Sequence, residues 1–524
     1  MSGVRNGHGT SGGGRVSVSR AAVVVTALTA VSTIFGFLRD VVIAAVYGAG
    51  PDLDAYLVAQ GLMNVVLGLV AYAMARSVTP VIAREVKAEG AACRSHRSFD
   101  TAITVTMVVL GLGAVVVGLL AAPVTALLAP GFEGEQAELA VMLTRIVLLA
   151  TVLIAGTDLL AAVAQAHGRV VWSSLQGVPF NIIMIGAAGL FGPRYGIQAL
   201  AIGFVIGSAA RLVLQFPPLA ALGLRVRPRL GLRHPGFREI ARLMPPLLVG
   251  SAISNVNSLV DRAVGSTLGD GAITALSYGW RLVNLPETLL IASLLVPLYP
   301  ALGAAAGNLP EVRRLVSRGL SVTVTVLVPL TLVLMVAALP LVRVAYGRGE
   351  FTADDSAATA VAVLWYAPAL VAMGVRQVLV STSYALGDAR APVLVSVVAM
   401  VINVVGDILL APVLGVAGIA VATSMSLVFA AIANGVLLAR RHGAVDGAAT
   451  RKLLVRATVI GAATVAVGHL TGRFLAAMLP EVGPLLEGAL IGSMMLGAYV
   501  LGLMLLRAPE RLVPLEMLRA VRRR

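Results

Sequence analysis

Charged side chains inside long apolar segments are the residues of this chain whose chemistry stands out. Arg39 and Asp40 lie in the first apolar segment, and Arg281 lies well inside a later one. A guanidinium group in a partly desolvated cavity can bind phosphate oxygens bidentately, and such a pair is stronger there than in water. Because ionisable groups are costly at membrane depth, these positions predict a functional site inside a membrane protein.

A second set of polar side chains carries oxygen atoms that suit a hard cation. Asn403 and Asp407 are four residues apart, so they share one face of a helix. Asp261 and Thr423, on two other apolar segments, would complete an oxygen shell of the kind that hard cations prefer. The alternative is a hydrogen-bonded contact of Asn403 with Asp407 that only joins helices.

The segments that carry these side chains occur twice in the sequence. Asn181 and Asn403 are 222 positions apart, and the Arg-Asp pair at 39–40 is matched at the same offset by the Asp-Arg pair at 261–262. Near-constant offsets of this kind indicate a duplicated bundle. A duplicated membrane bundle with charges inside its spans favours a transporter.

The composition indicates an all-α, polytopic membrane protein. Of the 524 residues, 58% are hydrophobic and only 12% are charged, which is untypical of a soluble domain. About 20 apolar residues are needed to cross the hydrocarbon layer as a helix, and we count about fourteen such segments. Their cores begin near Ala21, Ala55, Ala102, Leu139, Trp172, Gln198, Met244, Ala272, Leu320, Ala357, Pro392, Val416, Leu453 and Leu485.

The fourteen predicted helices divide into two pseudo-symmetric lobes of six and a C-terminal pair. The predicted boundaries are a disordered cytoplasmic tail at 1–20, an N-lobe at 21–222, a basic cytoplasmic linker at 223–242, a C-lobe at 243–441, and helices thirteen and fourteen with a basic tail at 442–524. The first tail is Gly/Ser-rich, as disordered segments often are.

The net charge of +15 is explained by membrane topology and not by a nucleic-acid partner. Most of the 40 Lys and Arg residues fall in the two tails and in alternate loops, which the positive-inside rule places in the cytoplasm. Such loops face anionic membrane lipids. No basic soluble domain that would bind nucleic acid is apparent. The predicted location is the bacterial cytoplasmic membrane, with both termini inside.

Several activities have no sequence support. Lysine occurs only at Lys87 and Lys452, and neither lies in a glycine-rich phosphate-binding loop, so no ATPase motif is found. We therefore expect transport to use an ion gradient, the membrane potential or the substrate's own gradient. No motif for a catalytic metal is present, so we expect a transporter and not an enzyme. The single cysteine, Cys93, excludes an intrachain disulfide.

Three ordered motifs resemble one family of transporters. The stretch from Gly36 to Asn64, GFLRDVVIAAVYGAGPDLDAYLVAQGLMN, resembles the opening of the MurJ/MviN family of lipid II flippases, within the larger flippase and multidrug-exporter superfamily. The family's second-half signature resembles residues 278–282 with Pro286 and residues 298–300. Its later tyrosine, glycine and phenylalanine-threonine turn resembles residues 346–352. The similarity in this ordered set extends over nearly all fourteen predicted spans.

The resemblance implies a flippase for the lipid-linked peptidoglycan precursor. It implies two lobes around a cavity that opens alternately inward and outward, with arginines that bind the pyrophosphate of an undecaprenyl-linked disaccharide-pentapeptide. Arg39, Asp54 and Arg281 match such functional positions. Cell-wall synthesis proteins are further possible partners. In the family sodium is bound between spans seven, eleven and twelve, in an arrangement that is similar to Asp261, Asn403, Asp407 and Thr423.

Several charges that are usual in the family's cavity are absent here. Thr33 replaces an arginine, Leu67 and Gly68 replace a double arginine, and Tyr72 replaces an acidic residue. Arg76, one helical turn beyond Tyr72, would restore a cation on the same helix. These departures leave open a flippase for another polyprenyl-pyrophosphate-linked glycan. A cation-coupled drug exporter is the more distant alternative, because an arginine-lined cavity repels cationic drugs.

Two of the candidate site residues also have structural interpretations. Asp54 follows Gly48, Gly50 and Pro51 at a predicted helix start, where a carboxylate commonly caps the helix. Neighbouring residues on a helix project about 100° apart, so Arg39 is not expected to pair with the residue that follows it.

Overall fold

The computed structural model describes residues 13–64, 68–89, 96–287, 298–479, 482–506 and 508–511, and every regular element in these ranges is a helix. Helices satisfy every backbone hydrogen-bonding group within one segment, which a lipid environment requires. The all-helical class predicted from the sequence is confirmed.

The first half of the described chain contains twelve α-helices. In chain order they are α1 (Gly13–Tyr47), α2 (Pro51–Met63), α3 (Leu69–Glu89), α4 (Arg97–Leu119), α5 (Ala121–Leu128), α6 (Gly134–Leu148), α7 (Ala150–Ala166), α8 (Val170–Leu175), α9 (Gly177–Gly186), α10 (Gly192–Tyr195), α11 (Ile197–Val213) and α12 (Phe216–Ala221). A π-helical turn, Ala187–Phe191, lies between α9 and α10.

The second half of the described chain contains ten more. They are α13 (Pro235–Gly265), α14 (Ala272–Pro286), α15 (Leu298–Ala304), α16 (Leu309–Val336), α17 (Ala338–Ala345), α18 (Ala353–Ala385), α19 (Arg390–Leu414), α20 (Val416–His442), α21 (Gly447–Met478) and α22 (Pro484–Leu505). Single 3₁₀ turns occur at Ser266–Leu268 and Pro509–Arg511.

Eleven segments of the described residues are long and apolar enough to cross a membrane. The segments predicted near Ala55, Met244 and Ala272 are not among them, so the count of fourteen stays a prediction. The first and last of these fall on α2 and α14, which end beside residues 65–67 and 288–297, outside the described ranges.

The chain forms two compact units, each assembled from separate stretches of sequence. The first unit comprises 1–43, 62–121 and 142–249, and the second comprises 44–61, 122–141 and 250–524. In the first unit α7 packs on α3, α4 and α11 around a core that includes Ile82, Phe99 and Leu159. In the second unit α18 packs on α14, α16 and α20, and α20 packs on α19.

Parts of the predicted tails differ from this description or lie outside it. Helix α1 begins at Gly13, so residues 13–20 of the predicted N-terminal tail are helical. Residues 1–12, Cys93 and the basic residues at 522–524 lie outside the described residues.

Candidate functional site

The second unit contains a cavity of about 730 Å³. All of its lining residues belong to that unit. Most of the polar lining residues lie on α13, α14, α18, α19 and α20. The polar residues that line the cavity include Gln60, Asn257, Ser258, Asp261, Arg262, Ser277, Arg281, Asn284, Glu287, Arg376, Gln377, Asn403, Thr423 and Ser426. The lining therefore contains three arginines and two carboxylates, a surplus of one positive charge.

The three arginines come from three different helices. Arg281 lies half-buried on α14, as the sequence predicted for a cation inside a span. Arg262, on α13, lies close enough for its charge to interact with those of Asp261 and Arg281. Arg376, on α18, donates a hydrogen bond to the Ser396 hydroxyl at 3.2 Å. Guanidinium groups that converge in this way can bind an anion with several oxygen atoms.

The cavity also includes Arg262 and Arg376, neither of which was predicted for the anion site. Arg262 was matched only as part of the Asp-Arg pair at 261–262. An arginine within an apolar segment, such as Arg376, often reaches for the membrane interface, so its position alone does not indicate an anion site. The one sequence signal for Arg376 was its position inside a long apolar helix, which several other arginines share.

A network of polar and aromatic side chains holds the face of α14 beside Arg281. The Asn284 amide lies 2.6 Å from Nε1 of Trp280 and 2.6 Å from Oε2 of Glu287, so one amide orientation accepts from the indole and donates to the carboxylate. The Trp280 ring also meets Tyr366 edge to face, with ring centroids 5.1 Å apart. These contacts restrict the side chains around the Arg281 guanidinium.

Asp54 holds the first turn of α14 and does not line the cavity. Its carboxylate accepts hydrogen bonds from the backbone N–H groups of Gly271 and Thr274, at 2.8 and 2.7 Å. It also accepts one from the Thr274 hydroxyl, at 2.6 Å. The capping carboxylate expected from the sequence therefore caps a helix other than its own, and it is only 1% exposed. A buried anion at a helix N-terminus is stabilised by the helix dipole.

The structure brings together the four residues of the predicted cation set. Nδ2 of Asn403 donates to Oδ2 of Asp407 at 3.1 Å and lies 3.5 Å from Oγ1 of Thr423. The carboxyl group of Asp261 contacts that of Asp407. Asn403 and Asp407 are buried, at 1% and 0% exposure. Both the four-residue spacing and the convergence of three helices are therefore seen.

Two carboxylate oxygens of this set are without a donor. Oδ1 of Asp261 and Oδ1 of Asp407 are buried and accept no hydrogen bond from any described residue. Two carboxylates in contact repel each other unless a proton or a metal ion lies between them. The donor set, with its unsatisfied oxygens and the nearby Thr423 hydroxyl, fits a hard cation.

Arg39 lies in the first unit, in an ion pair with its neighbour. Its guanidinium donates to Oδ1 of Asp40 at 2.9 Å and to Oδ1 of Asn181 at 3.1 Å. The prediction that these neighbours do not pair was wrong, because two nitrogens of the Arg39 guanidinium, Nε and a terminal one, reach the same Asp40 oxygen. The pair is only partly desolvated, since 16% of the Arg39 side chain is exposed.

The surroundings of Arg39 add a second cation. Arg39 and Arg211 both lie over the Phe180 ring, with the central guanidinium carbon 5.8 and 5.4 Å from its centroid. The charge of Arg211 also interacts with that of Asp158 on α7. Cation–π contacts of this kind hold the planar groups in fixed orientations.

Arg76 is an exposed side chain on α3 in the first unit. Its guanidinium lies 5.0 Å from the centroid of the Tyr72 ring, so the two residues do share one helix face. The candidate residues thus separate into two groups. Arg281 and the cation set lie in or beside the cavity of the second unit, and Arg39 and Arg76 lie in the first unit.

Comparison with known proteins identifies one family. The family model described as lipid II flippase MurJ matches residues 43–481. A "Probable lipid II flippase MurJ" of Vibrio cholerae is 31% identical over 421 residues, which cover 78% of this chain and 80% of that protein. A "Probable lipid II flippase MurJ" of Synechocystis sp. is 27% identical over 524 residues, which cover 95% of this chain and 97% of that protein.

Solved structures agree on the fold. The structure titled "Lipid II flippase MurJ, inward closed conformation" matches with a TM-score of 0.76 and 20% identity, and covers 92% of this chain and 100% of that one. An inward-facing multidrug resistance MATE family transporter matches with a TM-score of 0.64 and 16% identity, over 81% of this chain and 98% of that one.

Proposed function

Since this chain belongs to the lipid II flippase MurJ family, we propose that it moves lipid II from the inner to the outer leaflet of the bacterial cytoplasmic membrane by alternating access. The observation that supports this most strongly is the cavity of the second unit, where Arg262, Arg281 and Arg376 converge. A pyrophosphate presents several anionic oxygens to such a group of guanidinium forks. Both termini are cytoplasmic in this proposal, as the distribution of Lys and Arg favours.

In the proposed complex Arg281 binds the pyrophosphate directly. Arg262 and Arg376 add positive charge from the same cavity, so the net attraction extends to the whole anionic group. Arg39 and Arg76 are proposed as further substrate-binding residues, each with its guanidinium in the first unit. Asp54 contributes through α14: by capping the helix it fixes the position from which Arg281 extends.

A binding measurement tests the substrate class. We expect the purified protein to bind an undecaprenyl-pyrophosphate lipid and not an amphipathic cationic dye, because the cavity carries surplus positive charge. Preference for the dye would favour a drug exporter. Binding of the bare undecaprenyl-pyrophosphate without any gain from the lipid II head group would favour a flippase for another glycan.

We also propose a sodium site formed by Asp261, Asn403, Asp407 and Thr423. The support is the pair of buried carboxylate oxygens that no described residue satisfies. Bound sodium would neutralise the repulsion between the two carboxylates and would join α13, α19 and α20. The protein would then be more stable with the ion than without it.

Asp407→Asn is expected to abolish stabilisation by sodium, because the amide removes one negative charge and replaces a ligand oxygen with a donor. The measurement is the thermal unfolding midpoint in sodium chloride and in choline chloride at equal ionic strength. Asp388→Asn is the matched control, since Asp388 pairs with Arg441 and His442 in the same unit. If the wild type had the same thermal unfolding midpoint in both salts, the proposed sodium site would be contradicted.

A further inference from the structure

Three of the chain's six histidines meet at one end of the first unit. His96 precedes α4, His167 follows α7, and His234 precedes α13, so three separate connections supply them. The Nε2 atoms of His96 and His167 are 3.3 Å apart. His234 lies near enough for its charge to act on Glu85, which also contacts His96. Nothing in the proposed transport of lipid II uses this cluster.

The outer ring nitrogens of the histidine pair each face an acceptor. Nδ1 of His167 lies 2.9 Å from the carbonyl oxygen of Val163, which can only accept a hydrogen bond. Nδ1 of His96 lies 3.2 Å from Oε2 of Glu85, an ion-pair contact whose angle falls short of a hydrogen bond. The Ser98 hydroxyl donates to the other oxygen of Glu85 and holds that carboxylate in place. A proton on each outer nitrogen would therefore face an acceptor.

With both outer nitrogens protonated, the two inner nitrogens are left as acceptors on rings that are tilted by 54° to each other. A neutral imidazole has one protonated and one unprotonated nitrogen, so protons on both Nδ1 atoms leave both Nε2 atoms as acceptors. At 3.3 Å, either one ring donates a hydrogen bond to the other or, with both inner nitrogens as acceptors, a cation is shared between them. The His96 side chain is 1% exposed, so bulk water does not satisfy its inner nitrogen.

The separation is that of two ligands on one metal ion. Zinc binds imidazole nitrogen at about 2.0–2.1 Å in a tetrahedral shell, which places two such nitrogens about 3.3–3.4 Å apart. A histidine ligand also commonly donates its other N–H to a carboxylate or a backbone carbonyl, which orients the ring. Glu85 and the Val163 carbonyl occupy those two outer positions.

We propose that His96 and His167 bind a divalent transition-metal ion such as zinc. The ion is bound through both Nε2 atoms, with water as the remaining ligands, and it links the start of α4 to the end of α7. The described residues hold no group of three or more His, Cys, Asp or Glu side chains placed to bind one metal ion, so the two imidazoles are the protein ligands of this site. A two-ligand site binds zinc more weakly than a closed four-ligand site and loses the ion when the histidines are protonated.

The test is zinc binding by the full-length protein, purified through a tag without histidine and stripped of metal. Calorimetry at pH 7.5 is expected to give one zinc ion per chain. X-ray absorption at the zinc edge is expected to give two imidazole nitrogens at about 2.0–2.1 Å. His167→Gln is expected to lower zinc affinity at least tenfold, and Glu85→Gln to lower it about ten- to a hundredfold with both imidazoles kept.

The matched control is His469→Gln, because His469 is an exposed histidine elsewhere in the chain. It is expected to bind zinc as the wild type does. Absence of stoichiometric zinc from the wild type, or equal affinity in the wild type and His167→Gln, would overturn the proposal and leave a proton as the shared cation. None of these experiments measures lipid II transport. A negative result for the metal site therefore leaves the proposed transport function untouched, and the reverse is also true.

Discussion

Replacing Arg281 with glutamate is expected to abolish lipid II transport while the protein still inserts into the membrane. The substitution turns the cavity lining from a surplus of one positive charge to a surplus of one negative charge. Losing a desolvated partner of a charged group costs about 2–5 kcal/mol, which is a roughly thirty- to several-thousandfold loss of affinity. The measurement is rescue of a strain depleted of its own lipid II flippase, with membrane abundance scored alongside.

Arg343→Glu is the matched control for this substitution. Arg343 is an exposed arginine of the second unit that does not line the cavity, so the same change of charge should leave transport intact. Arg281→Lys is expected to be intermediate, since an ammonium group keeps the charge but loses the bidentate fork. Full activity of Arg281→Glu would contradict the assignment of the anion site to this cavity.

Asp54→Ala is expected to destabilise the second unit strongly. The backbone N–H groups of Gly271 and Thr274 would lose their buried acceptor, and each unpaired donor costs about 1–3 kcal/mol. The start of α14 would also lose the anion that its dipole stabilises. The measurements are the thermal unfolding midpoint in detergent and the amount of protein that accumulates in the membrane.

Asp52→Ala is the control for Asp54→Ala, because it also removes one carboxylate from α2. Asp52 is exposed in the first turn of the same helix, so its loss should shift the unfolding midpoint little. If Asp54→Ala had the same thermal unfolding midpoint as the wild type and lost only substrate binding, the Asp54 carboxylate would be a direct ligand of the substrate. Its capping role would then be secondary.

Local patterns in the sequence predicted the features that depend on one helix. The four-residue spacing of Asn403 and Asp407 predicted a shared face, and the pair does form a hydrogen bond at 3.1 Å. Arg281 was predicted to lie inside a span, and it lines the cavity. The apolar composition predicted the all-helical class because a lipid environment leaves few alternatives for the backbone.

Features that depend on distant parts of the chain were not predictable in the same way. Asp54 reads locally as a cap for its own helix, but its partner Thr274 is 220 residues away. The pairing of Arg39 with Asp40 depends on how a flexible side chain folds back, which spacing on an ideal helix does not describe. Arg376 resembles other membrane arginines until the neighbouring helices are placed around it.

The sequence repeat did not predict the hydrogen bonds of its matched asparagines. Asn181 and Asn403 are 222 positions apart, yet Asn181 accepts a hydrogen bond from Arg39 whereas Asn403 donates to Asp407. In the first unit the guanidinium group of Arg39 supplies a positive charge beside Asn181. Beside Asn403 the second unit has two carboxylates in contact, with buried oxygens that accept nothing from the described residues. At positions with the same offset, the residue types therefore decide which ion each can hold.

The most direct test of the proposed function is transport of lipid II by this chain in a living cell. The chain is expressed in a bacterium depleted of its own lipid II flippase, and both survival and the lipid II exposed on the outer leaflet are measured against confirmed membrane expression. We expect survival and restored external lipid II from the wild type and neither from Arg281→Glu. Good expression of the wild type without external lipid II would contradict the assignment of lipid II as the substrate.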